Sequence, residues 1–416
     1  MFRLTTIIIM NYDKQEIIMK RIIIAILIIL LLFCGCALPD NAASQNEENS
    51  GYTSFGIWIS YLELNAMLTS SNGFEAELAD VVKNCKDLGI DNVYIHVRPF
   101  CDSVFKSKYF PLREEVELLD YDVFEYIINT FHNEEIKVHA WINPYRVYTA
   151  SSDINALSTQ SPVYKWLNDD SAENDKNVCL WNGIYLNPAE TEVQQLVING
   201  IREIIEIYDV DGIHFDDYFY PTTDSAFDEV SYREYLSDNA KPVYLEDWRR
   251  TNVNSLISGC NSAIKNSGKN IVFSISPAAA IDKNYDELYA DVEYWVKNNM
   301  VDAVIPQLYF GFEYPLSEFR FETLLKKWTK LMSSNNQVEL IVGLAFYKTG
   351  TDVSPDSEEW QRDTDIIARQ VKLCCDDSRT NGFSLYSYSS VFSEEVLNRS
   401  QLEKLTEYLT TENGYE

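Results

Sequence analysis

Tyr208-Asp209-Val210-Asp211-Gly212-Ile213-His214-Phe215-Asp216-Asp217-Tyr218-Phe219-Tyr220-Pro221 is the stretch whose reading decides the fold. A helix is expected to end near Tyr208, Asp211-Gly212 makes a turn, and a short apolar strand then runs into two adjacent carboxylates. Side chains alternate along a strand, so Gly212, His214 and Asp216 share one face while Ile213 and Phe215 take the other. The acids therefore stand at the carboxyl end of the strand, where parallel α/β folds bind their ligands.

Working outward, short β-type runs alternate with amphipathic helices from Phe55 onward. The expected strands are Phe55–Tyr61, Asn92–Arg98, Ile136–Asn143, Gly212–Asp216, Ile271–Ser276, Ala303–Tyr309, Leu340–Phe346 and Gly382–Tyr388. Each is short and apolar, as strands covered on both faces should be. Phe74, Leu78, Val81, Cys85 and Leu88 make one helical stripe, ended by Gly89. Asn187-Pro188 is expected to open another helix, with Asn187 as its cap. Eight such units predict an α/β fold, a (β/α)8 TIM barrel over residues 54–410, with a doubly wound sheet as the alternative. Residues 144–186 and 218–245 form unusually long βα loops rich in aromatics, which suggests a binding cleft on the carboxyl face.

Ahead of the barrel, Lys20-Arg21 precedes an apolar run to Phe33 and then Cys34-Gly35-Cys36. This pattern predicts a signal peptide over residues 1–35, with Met19 a more natural start than Met1. Its ending resembles a bacterial lipobox, which implies cleavage before Cys36, lipidation of its thiol and a lipid anchor in the membrane. An uncleaved transmembrane anchor is the alternative, though the run is short for that. Residues 36–53 read as a flexible tether and 411–416 as a polar tail. A net charge of −30 over 416 residues argues against nucleic acid as a partner. The six cysteines from Cys85 onward have no disulfide-framework or zinc-site spacing, and Cys85, Cys260 and Cys374 read as small core residues.

The strand ends supply the chemistry. They deliver His96, Arg98, Asp102 and Ser103; His139, Trp141, Asn143 and Arg146; His214, Asp216, Asp217 and Tyr218; Ser276; Gln307, Tyr309 and Glu313; Tyr347 and Lys348; Tyr386 and Tyr388. Carboxylates, amides, Arg, His and aromatic rings around one pocket suit a sugar, and two carboxyls can break a glycosidic bond. Val97-Arg98-Pro99 with Asp102-Ser103, His139-Ala140-Trp141-Ile142-Asn143-Pro144-Tyr145-Arg146, Leu186-Asn187-Pro188 and Asp211 to Pro221 together resemble the glycoside-hydrolase-like 10 family of bacterial lipoproteins. The resemblance covers about residues 54–390. It implies a barrel glycosidase, and peptidoglycan glycan strands as the polysaccharide partner. Gly212-Ile213-His214-Phe215-Asp216 is more distantly similar to the fourth-strand motif of α-amylase-type enzymes, but Ile271 to Pro277 lacks their fifth-strand glutamate.

The second carboxyl must therefore come from elsewhere. One hypothesis pairs Asp216 with Asp217, as in hexosaminidases that use the substrate's 2-acetamido group as nucleophile. The other makes Asp216 the nucleophile and Asp102 or Glu313 the acid. Arg98, His139, Trp141, Asn143, Arg146, His214, Tyr218, Gln307, Tyr309 and Tyr386 are the expected substrate-binding residues. Structural alternatives stand beside these roles: Asp217 as a turn former, Arg98 with Asp102 as a rim ion pair, His214 as an oriented neighbour of Asp216, and His132 as a surface residue. No cofactor or metal is expected. A zinc hydrolase built on His96, His139, His214 and Asp216 is a minor alternative, because the first strand lacks a His-x-His pair. A silent glycan-binding lipoprotein is the other.

Overall fold

Strand β1 (Ser54–Ile59) opens the folded body, followed by β2 (Asn92–Arg98) and β3 (Lys137–Ile142). Three short strands come next: β4 (Arg146–Tyr148), β5 (Val178–Leu180) and β6 (Ile184–Leu186). The series ends with β7 (Gly212–Phe215), β8 (Val272–Ile275), β9 (Ala303–Val304), β10 (Glu339–Ala345) and β11 (Gly382–Tyr386). These elements belong to a computed structural model that describes residues 53–353, 356 and 358–411. The expected signal segment, Cys36 and the polar tail beyond residue 411 lie outside the described residues, as does all of the expected tether but Thr53.

Eight strands close into a ring in the order β1-β2-β3-β7-β8-β9-β10-β11, each parallel to its neighbours. The chain is a (β/α)8 barrel. Alternation splits its core in two. Trp58, Tyr94, Trp141, Ile305 and Ile341 fill the barrel, while Ile57, Val93, Ala140, Ile213 and Phe215 point outward into the apolar layer shared with the helices.

Three differences from the sequence reading have local causes. The sixth strand is only Ala303–Val304, because Pro306 has no N–H to give; the ladder resumes as isolated bridges from Gln307 to Ala278 and Gly343. The helix after residue 187 starts at Thr191 rather than Pro188. Asn187 Oδ1 accepts from Ala189 N at 3.1 Å, and its Nδ2 donates to Lys176 O and Ser231 Oγ, so it caps a turn instead of the helix. Residues 144–186 are not an open loop: β4, β6 and β5 pair as a small antiparallel sheet.

That sheet holds Arg146 opposite Tyr185 at the barrel rim. The segment after β7 is also pinned. Arg249, fully buried, donates to both carboxylate oxygens of Asp228, with Nη2 at 2.6 Å from Oδ1, and its guanidinium lies over the Tyr220 and Tyr289 rings.

Candidate active site at the carboxyl end of the barrel

At the carboxyl mouth of the ring a cavity of about 250 Å³ is lined by Trp58, Tyr61, His96, Trp141, Arg146, Asp216, Tyr218, Ser276, Gln307, Tyr309, Tyr347 and Tyr386. Interior alternation explains most of this set. Trp58, His96, Trp141, Asp216, Ser276, Gln307 and Tyr386 are the last inward positions of their strands or just beyond them.

Asp216 sits on the floor, 8% exposed. Its Oδ1 accepts from Gln307 Nε2 and from the backbone N of Asp217, each at 2.9 Å. Gln307 is itself oriented by donating to Ser276 O at 3.1 Å. Burial, and then the charge of Asp217, holds the Asp216 carboxyl well above the usual carboxylate range. Burial raises Asp217 too, but Lys283 and its hydrogen bonds pull the other way. Both carboxyls are raised, Asp216 the further, so Asp216 is the member of the pair that holds a proton more readily. With Oδ1 occupied by two N–H donors, Oδ2 is the atom left to carry that proton.

The floor beside Asp216 is polar. The His96 and Trp141 rings stack at 3.7 Å, nearly parallel. Both nitrogens of His96 and Nε1 of Trp141 are buried with no hydrogen-bond partner among the described residues. Burial, reinforced by the Arg146 and Arg113 cations, keeps His96 neutral. Aromatic walls complete the cavity: Tyr309 stacks on Tyr386, and Tyr347 meets both edge-on. Arg146 lies between the Tyr218 ring (4.2 Å) and the Phe100 ring (5.2 Å).

Trp141, Arg146, Tyr218, Gln307, Tyr309 and Tyr386 therefore line the cavity with Asp216. Four other expected substrate contacts do not. Arg98 is turned out of the barrel by a register shift in β2 between His96 and Arg98, which puts it in the outward phase of Ile142. It packs over the Phe110 ring at 4.2 Å and against Gly200. His139 lies a pleat lower, its Nε2–H donating to Asn92 Oδ1 at 2.9 Å. Asn143 is buried and donates to Pro99 O. His214 lies fully buried under the floor. Trp58 Nε1 donates to its Nε2, so its Nδ1–H donates to Ser274 Oγ at 2.8 Å.

Among the candidate acids, Asp217 borders a neighbouring cavity rather than this one. Asp102 faces Arg113 at 3.8 Å, not Arg98, and lines a third cavity. Glu313 is about half exposed and paired with Arg362 at 3.1 Å, outside all three. His132 is half-buried and bonded to Asp211 at 2.8 Å rather than free on the surface. Among the described residues no group of three His, Cys, Asp or Glu side chains is arranged to hold a metal; both nitrogens of His214 are bonded to Trp58 and Ser274, and Nε2 of His139 to Asn92. Trp58, Tyr61 and His96 were not among the expected contacts. Trp58 and His96 share the inward phase of their strands, and that signal was available.

The glycosyl hydrolase-like 10 model matches residues 55–362. The chain belongs to that family. Glycosyl hydrolase YngK of Bacillus subtilis (strain 168) is 29% identical over 364 residues, spanning 80% of this chain and 68% of its own length. Glycosyl hydrolase DigH of Escherichia coli (strain K12) is 25% identical over 449 residues, spanning 97% and 98%. Among solved structures, the glycoside hydrolase domain of PgaB (BpsB) from Bordetella bronchiseptica shares the barrel, with a TM-score of 0.56 at 12% identity over 85% of this chain and 98% of that one. The glycosyl hydrolase-like 10 match spans every barrel strand but β11, including the twin aspartates.

Proposed function

We propose that the chain is a glycoside hydrolase that cuts glycan strands containing N-acetylhexosamines, with bacterial peptidoglycan as the substrate. The observation that carries this reading is a buried carboxyl, Asp216, raised well above the usual range on the floor of an aromatic cavity, with a second carboxyl, Asp217, directly beside it. Asp216 is the acid that protonates the leaving oxygen through Oδ2, and Gln307 holds it in place. Asp217 stays anionic and polarises the substrate's acetamido group, whose carbonyl oxygen attacks the anomeric carbon from within the same sugar. The free nitrogens of His96 and Trp141 meet sugar hydroxyls, and the tyrosine walls stack on the C–H faces of the ring.

Asp217 donates its backbone N–H to Asp216 Oδ1 and shares its electrostatics, whereas Asp102 faces Arg113 and Glu313 pairs with Arg362, which favours the twin-aspartate pairing over a nucleophilic Asp216 with a distant acid. Export and anchoring through a lipidated Cys36 fit an enzyme of the cell envelope, and form part of the proposal. Digestion of purified glycan strands, intact and chemically de-N-acetylated, tests it, with products identified by mass. New reducing ends from the acetylated strands alone are expected. Equal release from both would end the acetamido mechanism, and binding without release would leave a glycan-binding protein.

A further inference from the structure

The catalytic cavity adjoins two others. It shares Tyr61 with a cavity of about 470 Å³, and Arg146 and Tyr218 with one of about 400 Å³, and those two meet at Thr149. The flanking cavities differ in charge. The first is bordered by Asp102, Glu114 and Glu115 against a single cation, Arg113, so acids outnumber bases three to one. The second is bordered by Arg146 and Lys283 against Asp217 alone. An excess of cation here is notable in a chain of net charge −30.

The two cations come from separate elements, β4 and the helix Ile281–Asp286 that follows β8. The Arg146 side chain makes no hydrogen bond or ion pair among the described residues and lies between aromatic rings, so its guanidinium donors remain available. Lys283 is exposed at the cavity wall, while Tyr185 and Tyr218 supply ring surface for a sugar.

Building on the glycosidase reading, we infer that the Arg146–Lys283 cavity is a subsite for a sugar bearing a carboxylate, and that the acidic cavity next to it accepts a neutral sugar. The groove is thereby polarised. A glycan in which neutral and carboxylated sugars alternate binds in one direction and one register, because the other register puts a carboxylate against Asp102, Glu114 and Glu115. Only one of the two alternating linkages then reaches Asp216.

The test compares an alternating glycan with the same glycan after carbodiimide activation and borohydride reduction of its carboxylates to alcohols. The wild-type enzyme is expected to favour the carboxylate form by about tenfold in kcat/KM, the size of one half-buried and one exposed charge contact. Lys283→Met shrinks that ratio to about threefold and Lys283→Glu brings it to about one. The readout is the ratio, so a general loss of activity in either variant does not obscure it. Mass spectra should show new reducing ends of a single sugar type. Equal turnover of the two glycans, a ratio unchanged in Lys283→Met, or mixed reducing ends would overturn the subsite. Absence of cleavage in both glycans would instead bring down the glycosidase reading on which the subsite rests.

Discussion

Asp216 and Asp217 differ by one position but border different cavities. Burial and like charge load the proton onto Asp216, so its titration should move to lower pH when Asp217 becomes Asn. Carbon-13 NMR of labelled aspartate reads this directly; an unmoved titration would separate the two groups. The same physics predicts a stability cost. Above pH 3.8 the unfolded chain has released a proton that folded Asp216 still binds, so stability declines as pH rises from 3.8 toward the raised folded value. Asp216→Asn removes that linkage. Its melting temperature should exceed the wild type's, with the gain growing as pH rises through that window. Asp216 was legible in the sequence because strand phase and strand end coincide there. Arg98 was not, because the register shift after His96 inverts its face and no turn residue in Val97-Arg98 announces it.

At the scale of elements, β7 works only if its first residue has no side chain. A methyl group on Gly212 would run into the His139 imidazole, which is fixed by Asn92. Gly212→Ala should cost about 1–3 kcal/mol in urea unfolding, as overpacked cores do. The loop after Asp217 depends on Arg249. Replacing it with Met leaves Asp228 buried and unpaired, with an expected loss of about 3–5 kcal/mol. Arg249→Met combined with Asp228→Leu should lose less than the single change, and an additive loss would contradict the pairing. The eight barrel strands were readable because each is a short apolar run between helical stripes. The β4-β6-β5 sheet was not, since strands of three residues carry no usable period. Pro306 was visible, and it alone foretold the short β9.

For the whole molecule, the sequence signalled a ring with its chemistry on one face, and the closed barrel puts Asp216, Gln307, Tyr309 and Tyr386 on that face together. Which inward side chains reach the mouth and which stay in the layers below depends on strand stagger, and that is why His139 and His214 looked like contacts but lie beneath the floor. The proposed anchor has its own test: metabolic labelling with a radioactive fatty acid should mark the wild-type protein and not Cys36→Ser, and equal labelling of the two would contradict the anchor. The central claim is that Asp216 is the acid. It is tested most directly by comparing Asp216→Asn and Asp217→Asn on natural glycan and on an aryl N-acetylglycoside whose phenol leaves without protonation. Asp216→Asn should lose about 10²–10⁴-fold on the glycan but far less on the aryl substrate, and Asp217→Asn should lose heavily on both. An Asp216→Asn enzyme impaired equally on both substrates, or impaired on neither, would contradict the account.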